Sequence, residues 1–301
     1  MNNANKSLHK AKSAKNDEFY TQLSDIEKEL KHYKKHFKNK KVFCNCDDPE
    51  TSNFWKYFEL NFEHLGLKRL ISTHYEISKP SYKLKLIRDT NDDGKINKLD
   101  IIKTPLKQNG DFRSSECSKL LSKVDVVITN PPFSLFREFI TTLIEHDKKF
   151  IIIGNMNAIT YKEVFKLIKD NKVWLGHTHP KEFIHPDGSV KKFGNICWFT
   201  NLPIQKRNEE LILYKTYNKK DYPKYDNHNA IEVSKVKDIP YDYYDTMGVP
   251  ITFLDHYNPD QFKMLGHLGS VGADGIYSFA NAIYIKGNKV FKRILIKRKE
   301  K

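Results

Sequence analysis

DVVITNPPFSLFREF, residues 125–139, changes character at its centre. Val126, Val127 and Ile128 form the continuous apolar run of a strand covered on both faces, and SLFREFITTLIEH reads as the helix that follows. Between them Asn130, Pro131 and Pro132 halt the strand, because two prolines fix φ and supply no N–H to a ladder. Strand, rigid turn and helix in that order are half of a βαβ unit, and the chain on either side repeats the alternation. Upstream, VFCNC is a strand that leads to a helix begun near Ser52, with Phe54, Phe58, Phe62 and Leu65 inward and Gly66 at its end. RLISTHYE is a further strand, while KLKLIRD and KINKLDIIKT read as a hairpin around the turn NDDG. Downstream, KFIIIGN, TYKEVFKLIKD and KVWLG are strand, helix and strand. Such alternation predicts an α/β fold, a Rossmann-like, mostly parallel sheet with helices on both faces and ligands at the carboxyl ends of its strands.

The flanks are basic. The first residues, MNNANKSLHKAKSAKND, are polar without periodicity and read as an arm. A helix capped by Ser24 or Asp25 then buries Ile26, Leu30, Tyr33 and Phe37 and turns Lys28, Lys31, Lys34 and Lys35 outward. The 301 residues carry a formal net charge of +15, which favours a polyanionic partner. No run approaches the roughly eighteen apolar residues of a membrane span, and no signal peptide is visible, so a cytoplasmic protein with no membrane contact is expected. Cys44, Cys46, Cys117 and Cys197 do not form a zinc pattern and read as buried thiols. DTNDDGKINKLD (89–100) fits the spacing of a calcium loop, but its flanks alternate as strands, so no metal is expected.

Asn130 to Phe133 fall where a strand emerges at the ligand-binding edge of the sheet. There an asparagine oxygen and a proline carbonyl together suit both hydrogens of an exocyclic amine, and Phe133 suits the ring that bears it. The motif resembles the Asn-Pro-Pro-Phe of amino methyltransferases that act on adenine N6. Further stretches in the same order, LHKAKSAKNDEFYTQ, VFCNCDDPETSNFWKYF, GDFRSSE, TNPPFSLFREF, ITYKEVF, YPKYDN, MGVPITFL and FKRILIK, extend the resemblance over nearly the whole chain. They are similar to the EcoRI-type adenine-specific modification methylases, and the Asp47-Asp48-Pro49 loop in place of a glycine-rich turn belongs to that family.

The resemblance implies a class I methyltransferase core with a recognition extension and S-adenosylmethionine as methyl donor. It implies double-stranded DNA as substrate, a flipped adenine as acceptor, a monomer, and a cognate restriction endonuclease that shares the site without a stable complex. Carried onto this chain, it puts Tyr20 and Thr21 near the methionine end of the donor and Asp47, Asp48 and Pro49 in the donor loop, beside Asn53 at the start of the next helix. Glu76 is expected at the ribose hydroxyls, Asp111 and Phe112 at the donor's adenine, and Asn130, Pro131, Pro132 and Phe133 around the target base. Trp198 and Phe199 are candidates for an aromatic wall beside that base, with core packing the alternative reading for at least one of them. We expect an arm over residues 1–23, the methyltransferase core over 24–201, and DNA contacts over 202–301, with recognition loops also at 177–195. Two other readings share parts of the pattern: a methyltransferase acting on an RNA base or cytosine N4, and an inactive DNA-binding relative.

Overall fold

The computed structural model describes residues 20–46, 48–76, 81–185, 188–268, 270–271, 277–278 and 283–300. The basic arm before Tyr20 lies outside the described residues, as does Asp47. The chain divides into two compact units, residues 1–164 with 175–202 and residues 165–174 with 203–301.

In the first unit β1 (Tyr20–Thr21) leads to α1 (Leu23–Leu30), whose line of buried residues continues through a 3-10 turn over Lys31–His36. Ile26, Leu30, Tyr33 and Phe37 are wholly buried, and the four lysines between them face water, as the helical spacing requires. Then come β2 (Lys41–Asn45), α2 (Asn53–Leu60), β3 (Arg69–Thr73), β4 (Tyr82–Leu86), β5 (Ile102–Pro105) and α3 (Ser115–Ser122). They are followed by β6 (Val126–Thr129), α4 (Phe136–Glu145), β7 (Lys149–Asn155), α5 (Lys162–Lys169) and β8 (Trp174–Leu175), of which α5 and β8 each include residues of the 165–174 segment assigned to the second unit. A hairpin of β9 (Glu182–Ile184) and β10 (Val190–Lys192) precedes β11 (Ile196–Thr200).

Eight strands form one sheet in the order β5-β4-β3-β2-β6-β7-β11-β8. The centre is parallel, with β3, β2, β6 and β7 running together, but β4, β5 and β11 pair antiparallel to their neighbours. The sheet is therefore mixed rather than mostly parallel, because a hairpin extends one edge and β11 enters from the opposite direction. The turn of that hairpin is also longer than NDDG. Tyr82 pairs with Pro105 and Lys85 with Ile102, which leaves 87–101 as the connection. Within it, Asp89 accepts the Gly94 N–H at 2.7 Å and Asp100 accepts the Thr90 and Asn97 N–H groups at 2.6 and 2.9 Å. These carboxylates fold the loop onto itself.

A second, three-stranded sheet joins β1, β9 and β10, with Tyr20 opposite Ile184 and Thr21 opposite Phe183. It ties Tyr20 and Thr21 to the 177–195 segment. The same segment is anchored to α1 through Glu29, which is fully buried and receives four hydrogen bonds. Gly176 is part of this anchor, since a Cβ there would stand 2.2 Å from Glu29 Oε1.

The second unit is built on a sheet of β12 (Ile231–Glu232), β13 (Met247–Pro250), β14 (Phe262–Leu268) and β19 (Arg293–Arg298), in the order β12-β13-β19-β14. Two small hairpins accompany it, β15 (Ser270–Val271) with β16 (Tyr277–Ser278) and β17 (Ile283–Ile285) with β18 (Asn288–Val290). Arg293 grips Glu232 with Nη2 at 2.6 Å and Nε at 3.0 Å, and the Tyr225 hydroxyl donates to the same carboxylate. Gly248 must lack a side chain, because its Cβ would meet that hydroxyl at 2.2 Å. The stretches YPKYDN, MGVPITFL and FKRILIK, distant in sequence, thus converge on one buried ion pair. No helix among the described residues is long and apolar enough to cross a membrane.

Candidate active site

The sheet has one point from which the chain winds both ways. After β2 it moves outward to β3, and after β6 it moves to β7 on the other side, so no crossover covers the carboxyl ends of β2 and β6. Such a switch point leaves a crevice where open α/β sheets take their ligands. Thr129 Oγ1 donates to the Asn45 carbonyl at 2.6 Å and ties the two strand ends together.

Asn130 leaves the crevice end of β6 and is buried, as is Pro131, while Pro132 and Phe133 are half-buried. Leu135 N donates to the Pro132 carbonyl at 2.9 Å, so the turn engages the second proline's carbonyl and not the first's. A 3-10 turn over Phe133–Leu135 then feeds α4. The Phe133 ring meets Phe193 edge-on at 6.5 Å, and Phe193 meets the buried Phe183 at 5.6 Å. A relay of rings therefore runs from the β9–β10 hairpin to Phe133.

Across the crevice β2 ends at Asn45, and Cys46 follows with φ of 112°, a backbone conformation that glycine adopts freely and other residues rarely do. Asp48 organises the loop beyond it: its carbonyl takes the Ser52 N–H at 2.7 Å, and its carboxylate takes the Tyr82 hydroxyl at 2.9 Å and the Glu50 N–H at 3.1 Å. Burial holds the Tyr82 phenol above its ordinary pKa and Asp48 pushes the same way, so the phenol remains a donor. Pro49 is buried and Ser52 caps α2 by accepting the Phe54 N–H at 3.1 Å. Asn53 Nδ2 donates to the Thr21 carbonyl at 2.8 Å, which brings β1 to the start of α2. Two polar atoms on this side, Thr21 Oγ1 and Asn45 Oδ1, are buried without a hydrogen-bond partner among the described residues.

Glu76 lies three residues beyond β3 rather than at its end, and its N–H donates to the Asn109 carbonyl at 2.9 Å. This brings it beside the Gly-Asp-Phe segment. Gly110, at φ of 81°, is required there, because a Cβ would stand 1.8 Å from the His74 carbonyl oxygen. Asp111 is held by Arg113 through Nε at 2.8 Å and Nη2 at 2.6 Å, and Ser114, not Asp111, caps α3. Phe112 is buried and packs edge-on against Phe139 at 5.0 Å.

The family model described as "Adenine-specific methyltransferase EcoRI" matches residues 7–299. The chain belongs to this family of adenine-specific methyltransferases. It is 46% identical to the Type II methyltransferase M.EcoRI of Escherichia coli, over 99% of this chain and 98% of the relative. It is 39% identical to the Type II methyltransferase M.MpnI of Mycoplasma pneumoniae, over 97% of this chain and 98% of that one. A relative from Mycoplasma genitalium, also described as a Type II methyltransferase, is 38% identical over 97% of this chain. No solved structure matches the chain.

Within this methyltransferase the structure gathers the expected residues along one edge of the first unit. Asn130 to Phe133 lie at the end of β6, Asp48, Pro49 and Asn53 after β2, Thr21 against Asn53, and Glu76 with Asp111 and Phe112 across the Asn109–Gly110 turn. Tyr20 is half-buried and pairs through its backbone with Ile184. One expectation is corrected. Trp198 and Phe199 are both wholly buried, Trp198 against Phe54 and Phe199 against Phe136, so neither is an aromatic wall. The Asp111 carboxylate is bound on both oxygens by Arg113. Asn45, Tyr82 and Phe193 escaped the sequence reading. Asn45 ends a recognisable strand, but nothing local distinguishes it from a core residue, and Phe193 gains its neighbour only through the hairpin.

Proposed function

We propose that this adenine-specific methyltransferase is a class I enzyme that methylates N6 of a flipped adenine in duplex DNA, with S-adenosylmethionine as donor, and so protects a restriction site. What supports the DNA substrate is the net charge of +15 together with the relatives' description as Type II methyltransferases. What supports the class I assignment is the switch point between β2 and β6 and the antiparallel β11 placed between β7 and β8. A monomer and a separately acting cognate endonuclease accord with it.

The observation that carries the mechanism is the Asn130–Phe133 turn at the carboxyl end of β6, tied by Thr129 to the end of β2. The Asn130 side-chain oxygen and the Pro131 carbonyl, the one left free by the turn, accept the two hydrogens of the target amine. Two acceptors at that nitrogen keep its lone pair from delocalising into the purine and aim it away from the ring. The two prolines hold both oxygens in place before the base arrives, so positioning is supplied in advance. Phe133 stacks on the extruded base, whose removal from the duplex costs roughly a few kcal/mol. When bound, S-adenosylmethionine supplies an electrophilic methyl group on a sulfonium sulfur. The crevice suits it, since Thr21 Oγ1 is a buried polar atom with no partner among the described residues, and the loop after Cys46 leads to α2. Tyr20, Thr21, Asp48, Pro49 and Asn53 would hold its amino-acid end, and the family resemblance adds Asp47, which lies outside the described residues. Glu76 would hold its ribose, and Asp111 with Phe112 its adenine. Residues 1–23 act as a phosphate-tracking arm, 24–201 as the catalytic core, and 202–301 with 177–195 as the DNA-reading parts.

Incubation with plasmid DNA and labelled S-adenosylmethionine, followed by nucleoside analysis and single-molecule sequencing, tests the reading. N6-methyladenine within one short motif is expected; label confined to RNA or to cytosine would refute the substrate. Asn130→Ala is expected to abolish turnover and leave S-adenosylhomocysteine affinity unchanged, and a near wild-type rate would refute its role.

A further inference from the structure

Asn45 is the last residue of β2 and only 2% exposed, yet its side-chain oxygen accepts no hydrogen bond from the described residues. Its backbone is accounted for, since Thr129 Oγ1 donates to its carbonyl at 2.6 Å. A buried acceptor left unmade carries a desolvation penalty that nothing among the described residues offsets, and such atoms in a native protein call for a ligand or a water. The three positions before it are explained by packing, since Val42, Phe43 and Cys44 are wholly buried. An amide at the last position has no packing role that leucine or valine would not fill better.

The location narrows the chemistry. Asn45 closes the β2 side of the switch-point crevice, immediately before the strained Cys46 and the loop that opens α2. Thr21 Oγ1, 2% exposed and likewise without a partner, belongs to the strand that Asn53 draws to the start of that helix. An amide oxygen only accepts, so its ligand must present N–H or O–H groups. The polar end of the donor has one group that only accepts, its carboxylate, and one that only donates, its ammonium. The carboxylate suits the positive N-terminus of α2. The ammonium is left for the acceptors.

We propose that Asn45 is a donor-binding residue whose side-chain oxygen receives an N–H of the α-ammonium group of S-adenosylmethionine, with Thr21 Oγ1 as a second acceptor. The assignment rests on the proposed donor and adds to it the residue that selects the amino group.

Calorimetry with two compounds tests it: S-adenosylhomocysteine, and the analogue in which hydrogen replaces its α-amino group. The wild-type protein is expected to bind the analogue about tenfold more weakly, as for one hydrogen bond to a charged group. Asn45→Ala is expected to lose about tenfold for S-adenosylhomocysteine and nothing for the analogue. Equal losses for both compounds, or none for either, overturn the assignment. Asn45→Asp keeps the acceptor and the shape and guards against a variant that fails to fold; it must still favour S-adenosylhomocysteine over the analogue, and loss of that preference overturns the assignment too. A wild-type protein that binds neither compound overturns the donor reading itself, and this inference with it, which separates the two failures.

Discussion

Glu29 offers the sharpest test of how the first unit holds its site. The carboxylate is 0% exposed and all four of its partners are donors: Tyr33 Oη and the His177 N–H reach Oε1 at 2.8 Å, and the Thr178 N–H and Oγ1 reach Oε2 at 2.7 Å. Glutamine has the same shape but only one oxygen. Whichever way its amide turns, its NH2 faces one donor pair. A hydroxyl in that pair can rotate to accept, although Thr178 Oγ1 already accepts from Trp198 Nε1 at 3.1 Å, but a backbone N–H cannot. Glu29→Gln therefore loses two charge-assisted bonds, each worth about 1.5–3 kcal/mol, and leaves a buried N–H against a donor. Relief of the buried charge offsets part of this, so a net loss of about 3 kcal/mol is expected, or roughly 1 M in the urea midpoint. Because Glu29 fixes the 176–178 turn that leads to β9 and β10, the variant should also lose protection of the 182–193 amides in hydrogen exchange. Glu29→Gln as stable as the wild type to within about 0.5 kcal/mol, or more stable, would refute the reasoning and mark the site as a frustrated buried charge.

Gly110→Ala puts a Cβ 1.8 Å from the His74 carbonyl oxygen and a side chain at φ of 81°, and should lower stability by about 2–4 kcal/mol and weaken S-adenosylhomocysteine binding; unchanged affinity would detach this turn from the donor site. Phe193→Ala removes the edge contact to Phe133, worth about 1 kcal/mol, and should reduce base capture about fivefold, as read by 2-aminopurine emission at the target, with Phe193→Tyr restoring it. Burial, with help from Lys169 and Lys292, lowers the His267 pKa to about 4. Since the unfolded chain binds this proton near pH 6.5, stability is full above that value and falls as pH drops toward 4, by roughly 3 kcal/mol in all. His267→Gln should flatten the wild-type decline between those pH values in urea titrations, and parallel curves would refute it.

The sequence alone determined the α/β alternation, the strands VFCNC and DVVITN, the inward face of the first helix and the rigid turn at Asn130, because these rest on local apolar spacing and on proline geometry. It also carried the family, since eight stretches lie in order along the chain. The tertiary structure alone decided what those stretches meet. Glu29 reads as one more acid on a charged helix until the 176–178 turn supplies its donors. Glu232 and Arg293, 61 positions apart, become a pair only when β19 lies beside β13. Local spacing reports which residues leave water, but hydrogen-bond partners are set by the crossing of distant strands. That is why Asn45 looks like core in the sequence and stands as an acceptor without a donor among the described residues.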